Sequence, residues 1–453
     1  MPKEIKLNGF ALYSPSHQSL GLWRHPRDRS IDFNRLGHWV ELARQLEAGL
    51  FDALFIADST NIHDVYENSV ATALRSAVQI PKHDPILLVS AMANATEHLG
   101  FGITGSVSYE PPYLFARRFS TLDHITDGRV AWNIVTNFSN AGARAVGLDA
   151  VKAHDTRYDV ADEFLEVVYR LWEESWEDDA LVADQATGVF TDPSKVHQIS
   201  HKGTYFKVDA VHLVEPSPQR TPFLFQAGSS DKGRDFAARH AEAAFLADPS
   251  KAEIASAVAD TRSRAIANGR DTDDIAFYAL ITVVVDHDEE AAKRKFEDYQ
   301  RYADLEGSLA FLSGQTGIDL SKFDLDAPFP NRRNENAMTS LVDSIARSNT
   351  PSIREIALSN AIGGRGPVFV GSPTQVADLM EEWMDETGID GFNLSYAVLP
   401  EGFTDFIMLV VPELQRRGRY KAAYAPGTLR QKLSGRSSAF LPLTHPGAQF
   451  RRN

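Results

Sequence analysis

Eight short apolar runs, each followed by a stretch with helical spacing, constrain the fold of this chain more than any other feature. They are LNGFALY (7–13), FDALFIAD ending at Asp58, FGITGSV (101–107), RVAWNIVT (129–136), PFLF (222–225), AEAAFLA (241–247), AFYALITVVV (276–285) and GFNLS (391–395). Runs without polar alternation fit parallel strands that helices cover on both faces. The intervening helices carry their own signals. Leu36, Trp39, Val40, Ala43 and Leu46 share one face over 34–49, and Ala161, Phe164, Leu165, Val168, Leu171 and Trp172 share one over 158–176. Asp84-Pro85 and Ser372-Pro373 read as a cap followed by a first-turn proline, opening helices to about 99 and 387. Eight such βα units close naturally into a (β/α)8 TIM barrel. An open doubly wound sheet is the alternative, but no G-x-G-x-x-G follows the first run.

The 453 residues exceed a minimal barrel, and two stretches account for the excess. Residues 177–219, after the fourth strand, have hairpin character. Residues 303–372, after the seventh, are rich in Gly, Pro, Asn and Asp and read as an irregular loop-side insertion and a candidate lid. The expected organisation is one barrel domain over 1–420 with a C-terminal arm, 421–453, reaching onto a neighbouring subunit of a homodimer or homotetramer. Pro412 is expected to kink or stop the last helix, 402–417.

Composition removes several function classes. A net charge of −15 disfavours non-specific nucleic-acid or acidic-membrane partners. With no cysteine, disulfide scaffolds, thiolate metal sites and Cys nucleophiles are excluded. No apolar run nears the roughly 18 residues of a membrane span, and MPKEIKLNGF has no signal core, so a cytoplasmic protein is expected. His197 and His201 have ligand spacing but sit at a turn without a third ligand, so no metal is expected. There is no G-x-S-x-G elbow and no P-loop.

In a barrel, active sites gather at the C-terminal ends of strands. Asp58 ends the second run, Thr104 lies in the third, Asn137 follows the fourth, and Gln226 to Ser230 follow the fifth. Ser230 is placed to cap the next helix, and Gly228 permits close backbone approach, which together make either an ordinary βα turn or a phosphate seat. His154 and Tyr158 lie four apart at the start of a helix, with Arg157 between them, and would form the other half of such a seat. His17, His63 and Gln79 fall in the loops after strands one and two.

Further stretches carry a family resemblance. They are H-x-x-x-G-x-W-R-H-P (17–26), RRFSTLDH (117–124), HDxRYDxADE (154–163), EPSPQRTP (215–222), QAGSS (226–230) and DGFNL (390–394). Together these resemble the bacterial-luciferase-like flavin monooxygenases, in the branch holding nitrilotriacetate, dibenzothiophene sulfone, long-chain alkane and dimethyl sulfide monooxygenases. The resemblance implies a luciferase-like barrel that takes reduced FMN from a separate NAD(P)H-dependent flavin reductase. With O2, the flavin would form a C4a-(hydro)peroxide that oxygenates the substrate. Asp58, Thr104 and Asn137 would lie along the flavin, while His154, Tyr158, Gly228, Ser229 and Ser230 would hold its phosphate. His17, His63 and Gln79 would form the catalytic set, with His17 as a proton or hydrogen-bond donor.

This chain departs from its relatives at a few positions. His63 stands where near relatives have Tyr, Ser14 where they have Cys, and Phe138 and Phe311 where the alkane enzyme has His. A small or medium apolar substrate such as an organosulfide is therefore expected. Alternatives are long-chain alkane hydroxylation, an F420-dependent oxidoreductase, and a flavin-binding protein without turnover.

Overall fold

Each apolar run is a strand, and all eight pair in parallel. The computed structural model describes residues 3–330, 341–342 and 351–452. The barrel strands are β1 (Lys6–Leu12), β2 (Ala53–Ala57), β3 (Gly100–Ser106) and β4 (Val130–Val135), then, beyond two outlying hairpins, β9 (Phe223–Gln226), β10 (Ala243–Leu246), β11 (Ala276–Val285) and β13 (Gly391–Ser395). The hairpins are β5 (Leu181–Asp184) with β6 (Val189–Thr191), and β7 (Ile199–Lys202) with β8 (Lys207–Ala210); both lie in the insertion after β4. The ring runs β1-β2-β3-β4-β9-β10-β11-β13 and closes where β13 pairs with β1. At that seam Asn8 Nδ2 donates to Asn393 Oδ1 at 2.9 Å, linking one buried amide to another.

Aromatic rings fill the lumen. Phe55 packs 4.4 Å from Phe245 and Phe225 4.7 Å from Phe245 (ring centroids), with Phe10 stacked at 5.3 Å on Phe55. A larger apolar layer lies between the strands and the helices outside, so the strands are buried on both faces, as their sequences require. Among the described residues, no helix is long and apolar enough to cross a membrane.

Several expectations from sequence are corrected. The 303–372 stretch is more regular than its composition suggested. It holds helices Leu305–Thr316 and Ile353–Asn360 and a ninth strand, β12 (Val368–Gly371), paired with the overhanging end of β11 from Thr282 to Val285. The middle of the candidate lid, 331–340 and 343–350, lies outside the described residues. Pro412 does not stop the last helix. A π-turn, Phe406–Val410, widens the helix ahead of Val411–Arg416, and so passes the missing N–H and the bulk of the ring. The long helix opens at His154, where the His154 to Tyr158 stretch was expected to open it, and passes through a π-turn, Arg170–Glu174. The one expected to reach 99 is a short turn, Pro85–Leu88, and a helix, Val89–Asn94.

The C-terminal segment packs along the barrel of its own chain. Helix Leu429–Ser434 puts Leu429 and Leu433 into the lumen cluster at the end opposite the strand C-termini. Leu429 N donates to Gly128 O at 2.8 Å. Arg430, 1% exposed, meets Glu242 with Nε to Oε1 at 2.6 Å.

Candidate active site

At the C-terminal mouth, β9 gives out at Gln226 and the chain passes Gly228 before Ser230 caps helix Asp231–His240. Ser230 Oγ accepts from Gly233 N at 3.1 Å, which leaves other first-turn N–H groups facing the mouth. His154 Nε2 lies 3.2 Å from Ser230 Oγ. Tyr158, 6% exposed, brings its hydroxyl so close that a Cβ at Gly228 would stand 2.7 Å from it and one at Gly233 2.8 Å. Both positions therefore have to be glycine for the loop to lie this close to the tyrosine. Arg157 is buried beside them, its Nη1 donating to Asn137 O at 2.7 Å and its Nε without a partner. These groups line a cavity of about 250 Å³ whose wall also includes Asp58, Phe138 and Gln226. Gln226 Oε1 is buried without a hydrogen bond.

A larger cavity of about 740 Å³ shares Asp58, Ser59, Asn61, Val135 and Asn137 with the first and extends past Gln79, Lys82 and Thr104. Asn137 has φ +41°, left-handed backbone that Asn tolerates better than most residues. Its Oδ1 accepts from Ser106 Oγ at 2.5 Å and its Nδ2 donates to Thr60 Oγ1 at 3.0 Å. Thr104 Oγ1 donates to Ile56 O at 3.3 Å and accepts from Asn133 Nδ2 at 3.0 Å. Burial pushes the Asp58 carboxyl up to about 6, against the pull of Lys82. Lys82 is a site residue that sequence reasoning missed. Its Nζ donates to Ser59 O at 3.0 Å, Ser59 Oγ at 2.9 Å and Asn61 O at 3.3 Å, and burial lowers it to about 8. Its only sequence signal is its position three residues after Gln79.

The expected catalytic set forms a string beside this cavity. Gln79 Nε2 donates to His17 O at 3.3 Å, and its Oε1 lies 3.4 Å from His63 Nε2. The His17 ring packs 4.3 Å from Phe10, and burial lowers it to about 3. His63 packs 5.1 Å from Phe311 and falls to about 4, through burial first and the nearby Lys82 charge second. Both imidazoles are thus neutral at physiological pH. Gln79 lines the larger cavity and Phe138 the smaller; His17, His63, Ser14 and Phe311 are on the wall of neither. Ser14 is buried with its Oγ unpartnered. His197 Nε2 and His201 Nε2 face Glu177 and Glu163, at 2.8 and 3.2 Å. Among the described residues, no three His, Asp or Glu side chains are grouped to hold a metal.

Comparison with known proteins places the chain in a family and matches its fold. The family described as "Luciferase-like monooxygenase" matches residues 10–391. The chain is 49% identical over 453 residues to the dimethyl-sulfide monooxygenase of Hyphomicrobium sulfonivorans, covering 100% of this chain and 94% of that one. It is 47% identical to the long-chain alkane monooxygenase of Geobacillus thermodenitrificans, covering 100% and 99%. A crystal structure of long-chain alkane monooxygenase matches with TM-score 0.93 at 46% identity over 100% of both chains. A riboflavin lyase crystallised with modified FMN and riboflavin matches with TM-score 0.93 at 35% identity, again over 100% of both.

Proposed function

The chain belongs to the luciferase-like monooxygenase family, and from that premise we propose that it is the oxygenase component of a two-component system. It takes reduced FMN from an NAD(P)H-dependent flavin reductase and uses O2 to put one oxygen atom onto a small or medium apolar organic substrate. Bound reduced FMN supplies the electrons that activate O2; the protein binds, orients and excludes water.

The carrying observation is the 250 Å³ cavity, where a helix N-terminus, a glycine cradle and a buried guanidinium converge. That donor set suits a phosphate monoester: free N–H groups, Ser229, Ser230, His154 and the Tyr158 hydroxyl as hydrogen-bond donors, and Arg157 for charge. The neighbouring wall of Asp58, Thr104, Asn137 and the unpartnered Gln226 carbonyl suits the polar edge of an isoalloxazine. Gln79 lines the larger cavity and fixes the His17 backbone, and His17 and His63, neutral at pH 7 behind it, hold a proton or donate a hydrogen bond toward that wall. Phe138 narrows and dries the first cavity, and Phe311 backs His63. Residues 1–420 act as one catalytic domain with 421–453 as its arm, in a homodimer or homotetramer in the cytoplasm.

An organosulfide such as dimethyl sulfide is the substrate class favoured by the Phe138 ring on the cavity wall and by the similarity to a dimethyl-sulfide monooxygenase. The comparable identity to an alkane monooxygenase makes a long-chain alkane the second candidate. The test is anaerobic titration with reduced FMN, then mixing with 18O2 in the presence of dimethyl sulfide or hexadecane. Binding followed by one labelled oxygen atom in the sulfoxide or alcohol supports the reading and names the substrate. Reoxidation without labelled product makes the chain a flavin binder. Failure to bind reduced FMN, with binding of reduced F420, replaces it with a hydride-transfer enzyme.

A further inference from the structure

Lys82 is not among the residues that the resemblance brings to the site, yet it lines the larger cavity and holds the segment that the two cavities share. Three hydrogen bonds run from its Nζ to Ser59 and Asn61, the residues that follow β2 and line both cavities. Asp58, the last acidic group before that segment, lines the same larger cavity as Lys82 and feels its charge. Most lysines at a cavity edge extend into water; this one is folded back onto backbone carbonyls, and its charge is committed to one place. We propose that Lys82 is a positioning residue: it pins the Ser59–Asn61 segment as a wall common to both cavities and fixes a positive charge on the cavity wall it shares with Asp58.

The electrostatics of the surroundings agree. Asp84 and Glu110 push the Asp58 carboxyl up together with burial, and Lys82 opposes them. Glu110 is engaged by Arg118 at 2.6 Å, and His83 and Tyr109 complete the ionisable groups on this wall. Across it, the same charge acts on His17 and His63 and favours their neutral forms. Without Lys82, Asp58 keeps its burial and its acidic neighbours but loses the compensating cation, so its protonation moves to higher pH and reaches the physiological range. The Ser59–Asn61 segment loses three donors at the same time.

The inference rests on the reading of this mouth as a reduced-FMN site, and its test separates the two. The apo proteins K82M and K82R, with wild type, are titrated by 13C NMR of the Asp58 carboxyl, assigned by D58N, after thermal melts confirm folding. Expected is an upward shift of the Asp58 transition by at least one pH unit in K82M and none in K82R. Anaerobic titration with reduced FMN at pH 7 is expected to show about tenfold weaker binding by K82M and near wild-type binding by K82R. A K82M that melts earlier but keeps the wild-type Asp58 transition overturns the proposal and leaves Lys82 a packing residue. If wild type binds no reduced FMN, the cofactor reading fails, while the carboxyl titration still judges Lys82.

Discussion

At Gly228 a methyl group would stand 2.3 Å from Gln226 Nε2 as well as 2.7 Å from the Tyr158 hydroxyl, closer than Cβ atoms are found to either. Gly228→Ala should therefore push the loop off the tyrosine and open the cradle. Anaerobic titration should show reduced FMN binding weakened tenfold or more, about 1.4 kcal/mol, while the melting temperature moves little because the loop lies at the mouth. An unchanged affinity would mean that the cradle holds no phosphate. A second residue-scale consequence lies away from the site. His212 is 2% exposed, its Nε2 is 3.0 Å from Ser120 Oγ, and burial holds it at about 4. The unfolded chain, titrating near 6.5, binds this proton between pH 6.5 and 4 and the folded chain does not. Stability from this group is whole above pH 6.5 and drains away as pH falls through that window. Removing one such group should flatten the dependence by up to about 1.4 kcal/mol per pH unit. Urea unfolding of His212→Gln at pH 6.5, 5.5 and 4.5 should show a slope shallower than wild type; an identical slope would mean His212 is protonated when folded.

Helix Asp231–His240 joins stability to binding at one residue, because Ser230 both caps it and faces His154. Ser230→Ala should cost about 1 kcal/mol of stability through the lost cap and weaken reduced FMN binding. Ser230→Asp keeps a capping oxygen but adds an anion where the phosphate would sit. It should melt near wild type and bind reduced FMN worst of the three, and parallel loss of both properties in the two variants would argue against a phosphate at this end. This helix was legible in the sequence because a serine cap, a glycine and an apolar stripe follow one another in order. The eight barrel strands were legible for a related reason, since burial on both faces leaves continuous apolar runs. β12 was not, because four residues that pair only with the overhang of β11 leave too short a pattern among glycines and prolines. Lys82 was hidden for a deeper reason: only the folded chain brings it onto Ser59 and Asn61, and no local spacing encodes that.

At the scale of the molecule, two of the resemblance-bearing stretches hold the closed end of the barrel rather than its mouth. Asp123 of RRFSTLDH accepts from Gln219 Nε2 of EPSPQRTP at 2.7 Å, and Gln219 Oε1 accepts from Arg430 N at 3.2 Å. Arg430 in turn grips Glu242 with Nε and Nη2, at 2.6 and 2.8 Å, and donates to Thr221 O at 2.9 Å and Ala439 O at 2.8 Å. With Leu429 and Leu433 in the lumen cluster and these hydrogen bonds around Arg430, the C-terminal segment is a stopper for the lumen. A buried pair of this kind adds little over an apolar plug, but breaking it strands a charge. Arg430→Ala leaves Glu242 buried and uncompensated, and should lower the unfolding free energy by about 3–5 kcal/mol in urea. Arg430→Met with Glu242→Gln, which removes both charges and keeps the bulk, should recover much of that loss. Because the mouth lies at the other end of the strands, the folded fraction of either variant should bind reduced FMN as wild type does. A loss under 1 kcal/mol in Arg430→Ala would show that the segment detaches without cost, and a fall in cofactor affinity would show that the two ends of the barrel are coupled.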